Sequence, residues 1–394
     1  MHRLYLVAFA LLLLPVSGAL GINYRYLDRA GEFLTAEEVI ARQRTESGFC
    51  LYGSALHDDV FSYKTAGYRT AKPHVTLAGS SRSLNVRERF FNVPFYSIGG
   101  GMDSVVYAEH LLRATTQAHK PKLLLLGIDF WWFHEDARLY RRTKPPVDVR
   151  RLTLAKLSRP FTWLIDGKIS PGEFLRTTLG SPPDNGKCDI GVQSRQKRDG
   201  YGPDGSYYNT SLVTGKRERI EGFSRERQDM QDGTDHFPFG TDFNRENLED
   251  FVQLIQSLEA DGTTVIVFAH PLAPSVYREM QRYPDRYAYV PKLLQALKTS
   301  GITFFDFHDP RKLGTSDCEF WDGTHGGDVT YARLLLAIHD SLRDPALRPF
   351  FNVQVLRETI EDYAGFFMVP DPRVTSEPEV DFLNIGCRKR PRGI

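Results

Sequence analysis

The chain contains several short runs that are apolar throughout, with no polar alternation, each ended by turn-forming residues. Lys122 to Ile128 is the clearest, an almost unbroken leucine run. Val93 to Ile98 is a second apolar stretch, and His74 to Ala78, Thr264 to Ala269 and Ile302 to Phe307 read as further strands. A strand with one wet face alternates polar and apolar residues, whereas a strand covered on both faces reads as continuously apolar. Between the runs lie segments of helical period: Asp103 to Thr116, opened by a good capping residue, Asn244 to Ala260, Tyr287 to Thr299, and a helix capped by Asp328 that runs to about Leu342. Strands alternating with helices predict an α/β fold with a mainly parallel sheet of about five strands. Upstream, Thr35 followed three residues later by Glu38 is a capping box and predicts a short helix from Thr35 to Arg44.

At 394 residues, with 41% hydrophobic content, the chain can bury a sizeable core. Its formal net charge of +1 supplies no whole-molecule field that would gather nucleic acid, so no nucleic-acid partner is expected. The middle, residues 134–243, breaks the strand and helix rhythm and is rich in Arg, Gly, Asp and Pro. It reads as a long irregular and helical insertion, or cap, within a domain spanning 21–342, followed by a C-terminal extension over 343–394. Within the insertion, Arg138, Arg141, Arg142, Lys144, Arg150, Arg151, Lys156 and Arg159 precede a set of apolar residues. That pattern fits a membrane-surface or polyanion-facing element, and equally a solvated face over the core.

Residues 1–20 differ in kind. Arg3 precedes an apolar run from Leu4 to Leu14, and Ser17-Gly18-Ala19 offers a cleavage point, the pattern of a secretory signal peptide. An uncleaved N-terminal anchor is the competing reading, because the apolar stretch approaches spanning length. Either places the body outside the cytoplasm, in a periplasm or the extracellular space. Cys50, Cys188, Cys318 and Cys387 make no paired metal-ligand spacing, so neither a metal nor a cofactor is expected. In an exported chain they permit two disulfides with three connectivities, or four buried thiols. A bridge at Cys318 would brace the loop that follows it.

That loop, Phe320-Trp321-Asp322-Gly323-Thr324-His325-Gly326-Gly327, sets a carboxylate and an imidazole three residues apart. Far upstream, Gly79-Ser80-Ser81-Arg82 follows the first strand directly. A hydroxyl on a sharp turn, an imidazole to take its proton and a carboxylate to hold the imidazole are the parts of serine acyl chemistry. Ser81 is the candidate nucleophile, His325 the base and Asp322 its orienting acid. In open α/β sheets, loops at the carboxyl ends of strands gather into one mouth. Arg82, Trp131 in the aromatic run Phe130 to Phe133, and His270 before Pro271 are candidate substrate contacts there. The same aromatic rings would also serve as core, and His270 as a structural histidine. A second Asp-x-His spacing, Asp306 and His308 with Ser316 beyond, forms an alternative triad. Gly99 and Gly101 lack the third glycine of a dinucleotide fingerprint.

Gly79-Ser80-Ser81, the glycine run Gly99 to Gly101 with Asp103-Ser104, and Asp322-Gly323-Thr324-His325 together resemble the SGNH, or GDSL-type, hydrolase superfamily. The resemblance covers about Ala71 to Phe133 and Asn244 to Leu342. It implies a flavodoxin-like three-layer sandwich, with the amides of Ser81 and Gly101 as oxyanion donors. Gly-Ser-Ser in place of Gly-Asp-Ser moves the likeness toward an exported branch, similar to proteins of polysaccharide O-acetylation and of D-alanyl transfer to teichoic acid. The activity so implied is that of an O-acyltransferase or esterase working through an acyl-enzyme. Its partners would be an acyl donor, a polysaccharide acceptor and a membrane acyl-transfer protein. Where the family supplies an asparagine, this chain reads Gly127-Ile128-Asp129-Phe130. A protonated Asp129 could donate to an oxyanion, and an ionised one would repel it. A polysaccharide-binding or assembly protein with lapsed catalysis, and a plain secreted esterase or lipase, are the rival functions.

Overall fold

The computed structural model describes residues 2–45, 48–56, 59–136, 152–180, 188–217 and 222–391. Five strands form its central sheet: β1 (Val75–Ala78), β2 (Phe95–Ser97), β3 (Leu123–Ile128), β4 (Thr264–Ala269) and β5 (Phe304–Asp306). They lie in the order β2-β1-β3-β4-β5, every pair parallel. This is the strand order of a flavodoxin-like sandwich, and it places the reversal of winding between β1 and β3. Leu125 stands opposite Leu77 on one side and Ile266 on the other. All six residues of β3 are buried, as its leucine run requires.

On one face of the sheet Val75, Leu77, Leu123, Leu125, Ile266 and Phe268 meet Tyr331, Leu334, Leu335 and Ile338 of helix Asp328–Ser341. Because strand side chains alternate, their sequence neighbours point to the opposite face. Helices Val105–Thr116 and Arg245–Ala260 pack together on that side, the second directly against β4. Ser104 caps the first, its Oγ accepting from the Tyr107 amide, and Asn244 caps the second in the same way. Asp328 does not cap its helix, contrary to the expectation: Gly327 holds the cap position. The Asp328 carboxylate instead binds Arg87 at 2.9 Å, Arg89 at 3.3 Å and the Val369 amide at 3.1 Å. Buried charge recruits these partners more strongly than an N-cap would.

The chain divides into two compact units, Met1–Asp59 with Pro146–Pro203, and Val60–Pro145 with Asp204–Ile394. The stretch 134–243 is therefore not one insertion. Residues 343–394 are not appended to the sheet unit either: Leu347, Phe351 and Leu356 join its core, and Asn92 and Asn352 exchange backbone hydrogen bonds with Phe350 and Phe90. In the other unit, helix His2–Ala30 runs past residue 20 without a break. Its Tyr26, Leu27 and Ala30 form a core with Ile169 and Val192. The Thr35 capping box is reciprocal, with the Thr35 amide donating to Glu38 Oε2 at 2.7 Å and the Glu38 amide to Thr35 Oγ1 at 3.2 Å. Arg138, Arg141, Arg142, Lys144, Arg150 and Arg151 lie outside the described residues. Among the described residues, no helix is long and apolar enough to cross a membrane. All four cysteines are paired, Cys50 with Cys188 and Cys318 with Cys387, as suits an oxidising, exported setting.

Candidate active site

The turn after β1 is shaped by Gly79, whose φ of +145° lies where side-chain-bearing residues rarely go. Ser80 caps the single turn of 3₁₀ helix Ser81–Asn85, its Oγ accepting from the Arg82 amide. Ser81 thus stands exposed at the head of the turn, while Arg82 and Ser83 are buried behind it.

The second half of the site is a tight loop closed by the Phe320 and Gly326 bridge, with the Trp321 amide donating to the His325 carbonyl. Gly323 turns it at a φ of +87°. Ser81 Oγ lies 2.8 Å from His325 Nε2, across 244 positions of sequence. The other ring nitrogen, Nδ1, lies 2.8 Å from Asp322 Oδ2 and 2.9 Å from Oδ1. Asp322 Oδ1 also accepts from the amides of His325 and Thr324 and from Thr324 Oγ1. Burial pulls the Asp322 carboxyl upward, but the charge of His325 and these hydrogen bonds outweigh it and hold the group far below the ordinary carboxylate range. An acceptor of this kind keeps the proton on Nδ1, which leaves Nε2 with a lone pair facing the Ser81 hydroxyl.

The Cys318–Cys387 disulfide anchors the start of this loop across a sequence separation of 69. Lys389 Nζ adds hydrogen bonds to the Cys318 and Gly365 carbonyls at 3.0 and 2.6 Å. Cross-linking a loop of this length removes much of the freedom of the unfolded chain. The Cys318→Ser/Cys387→Ser variant is expected to lose about 4 kcal/mol in urea unfolding relative to the intact protein. A midpoint shift below about 1 kcal/mol would show that the bridge does not restrain the chain.

Arg82, expected as a substrate contact, is 1% exposed. Its Nη1 pairs with Asp129 Oδ1 at 2.9 Å, Nε donates to the Thr324 carbonyl at 2.8 Å, and Nη2 to the Pro271 carbonyl at 2.7 Å. One guanidinium therefore ties together the segments following β1, β3 and β4 and the loop bearing His325. The same pair withdraws Asp129 from the oxyanion role: fully buried, its carboxylate accepts from a cation instead of donating. His270 likewise faces inward. Its Nδ1 lies 2.8 Å from the Tyr331 hydroxyl and its Nε2 3.1 Å from Ser83 Oγ. Burial, and then the charges of Arg82 and His325, push its imidazole well below the ordinary range. Trp131 is 4% exposed, with Arg82 over one part of its ring at 5.5 Å and the His236 ring 4.5 Å away. Phe130, Trp132 and Phe133 are core as well. These rings fill the desolvated space at the strand ends.

The glycine run lies against the Ser81 turn. The Gly100 amide donates to the carbonyls of Gly79 and Ser80 at 3.1 and 2.9 Å, and the Gly99 amide to Ser97 Oγ at 3.2 Å. Among the described residues, the amides of Ser81 and Gly101 find no such internal acceptor.

The alternative triad does not assemble. Lys298 and Lys312 each hold Asp306 Oδ2 at 2.8 Å, and the His308 ring packs edge-on against Phe130 and Tyr277. Burial first, and then the charge of Arg82, push the His308 imidazole down to about 4. An unfolded histidine takes its proton near pH 6.5, so between 6.5 and 4 the unfolded chain binds a proton that the folded chain refuses. Stability is therefore present above that window and is lost as pH falls through it, by up to roughly 3 kcal/mol from this group. Urea midpoints at pH 7.5 and 4.5 check this: His308→Phe is expected to flatten the decline, and an unchanged slope would assign the acid sensitivity elsewhere.

Several residues at the site carried no signal in the sequence. Trp321 lies with its ring 5.2 Å from that of His325 and beneath the Arg217 guanidinium at 5.3 Å. His236 stands beside Trp131, and Glu226, in helix Ser224–Asp232, is buried within electrostatic reach of Asp322. Burial, with the Asp322 charge added, pushes the Glu226 carboxyl up to about 7. All come from stretches of irregular composition, where no periodicity marks a face. No protein-family model matches this chain, and no characterised protein or solved structure matches it either.

Proposed function

We propose that this chain is an exported serine-dependent acyl-transfer enzyme of the SGNH type. It moves an acyl group through Ser81 to a hydroxyl of a cell-envelope or extracellular polysaccharide. The observation that carries this reading is the unbroken line from Ser81 Oγ through both nitrogens of His325 to Asp322, with each contact at 2.8 Å. In that line Ser81 attacks an ester carbonyl and His325 takes its proton, then returns it to the leaving alcohol. Asp322 stabilises the imidazolium formed between the two steps. The amides of Ser81 and Gly101 receive the oxyanion, each well-aimed donor contributing roughly 3 kcal/mol.

Hydrolysis is the second reading, favoured by the exposure of Ser81, which admits water to an acyl-enzyme. For location, the two disulfides support a periplasmic or extracellular site. Exposed Leu154, Ile165, Leu175 and Leu179, in the unit that holds helix His2–Ala30, support a tether at a membrane.

A fluorophosphonate probe tests the chemistry. The intact protein is expected to be labelled at Ser81, and Ser81→Ala to be unlabelled. An unlabelled intact protein would favour a polysaccharide-binding protein on the same scaffold.

A further inference from the structure

A second imidazole and carboxylate pair stands beside the first. His236 Nδ1 lies 3.2 Å from Asp235 Oδ2, and the His236 side chain keeps 38% of its surface exposed. Asp235 holds a left-handed backbone, φ +51°, a conformation that aspartate tolerates better than most residues. The His236 ring is fixed against Trp131 at 4.5 Å, and Trp131 is fixed in turn against Arg82, the residue next to Ser81. His236 is also near enough to His325, Asp322 and Asp129 for their charges to act on it, while burial biases its ring toward the neutral form. With Nδ1 beside the Asp235 carboxylate, whose Oδ2 Arg225 also holds at 3.4 Å, the ring keeps its proton on that side and Nε2 is left as an acceptor. His236 is not the base for Ser81, because His325 already occupies that position at 2.8 Å.

We propose that His236 is the acceptor-binding residue of the site, its Nε2 taking a hydrogen bond from a hydroxyl of the incoming sugar. The inference rests on the acyl-transfer reading and specifies how a sugar hydroxyl, rather than water, is delivered. With one sugar hydroxyl held by His236, a neighbouring hydroxyl attacks the acyl carbon on Ser81 and gives its proton to His325. The bond between that carbon and Ser81 Oγ then breaks, and Oγ takes the proton from His325. A sugar ester and the free serine result, so every atom and proton is accounted for. Trp321, partly exposed beside His325, offers a flat apolar surface to the same sugar.

The test uses 4-nitrophenyl acetate as donor and two acceptors, a neutral hexose tetrasaccharide and a uronic-acid tetrasaccharide. Nitrophenol release is followed by absorbance and acetylated sugar by mass spectrometry. His236→Phe keeps a ring on Trp131 but loses the nitrogen. It is expected to form at least roughly 10-fold less acetylated sugar, through a higher KM for the acceptor, while nitrophenol release without acceptor stays within about two-fold. His236→Gln, which retains an acceptor atom, is expected to recover part of the transfer. Equal loss of transfer and hydrolysis in His236→Phe overturns the proposal, as does unchanged transfer. So does an intact protein that hydrolyses the donor yet acetylates neither sugar. Failure of the fluorophosphonate to label Ser81 would sink the triad itself, an outcome separate from all of these.

Discussion

Asp322→Asn is expected to lower kcat for aryl ester turnover by about 10⁴-fold without unfolding the protein. Asp322 Oδ1 accepts from two backbone amides and a threonine hydroxyl, which an asparagine oxygen can still satisfy. The other carboxylate oxygen faces His325 Nδ1 at 2.8 Å. An amide NH₂ in that position presents a donor, so the ring shifts its proton to Nε2 and can no longer accept from Ser81. Steady-state kinetics with a circular dichroism control measure the effect. A fall of less than about 10-fold would mean that the imidazole does not act as the base for Ser81.

Arg82→Met carries the largest expected cost in stability, about 3–5 kcal/mol in urea unfolding. The pair it breaks is almost wholly buried, so Asp129 would be left as an uncompensated charge, and the carbonyls of Thr324 and Pro271 would lose their donors. Arg82→Met/Asp129→Leu removes the stranded charge and is expected to regain most of the lost stability, since an apolar pair of similar volume often replaces a buried ion pair without penalty. Activity should not return with it. The Thr324 carbonyl sits one residue before His325, and losing its bond to Arg82 leaves that loop tied to the turn after β1 by Ser81 and by Asn85, which donates to the Gly326 carbonyl at 2.9 Å. A single variant costing less than about 1 kcal/mol would show that the four segments hold together without the guanidinium. If the double variant regained kcat as well as stability, Arg82 would have no part in placing His325.

The triad was legible because its local requirements are local. A serine needs a turn directly after a strand, and an Asp-x-x-His pair needs a glycine-bearing loop, and both can be read within eight residues. The roles of Arg82, Asp129, His270 and Trp131 were not legible in this way. Each was placed at the strand ends from its position, but whether its side chain pointed toward the mouth or away from it depended on partners 47 to 242 positions distant. His236 gave still less warning, since it lies in a segment without period or capping signals, and Trp321, though inside the Asp-x-x-His loop, showed no sign of facing His325. The Cys318 and Cys387 pairing was one of several that the sequence allowed, and only proximity in the fold selected it.

By itself, then, the sequence determined the class of the fold and named the three residues that meet at the candidate site. Continuous apolar runs can be buried only between two layers, and helical period between such runs places the strands in parallel. The tertiary structure decided which polar groups face solvent and which serve one another. An apolar residue declares its destination by its own solvation, whereas an arginine or histidine goes inward only if specific partners wait there. Those partners, here a carboxylate, two carbonyls, a tyrosine and a serine, come together only after the chain has folded.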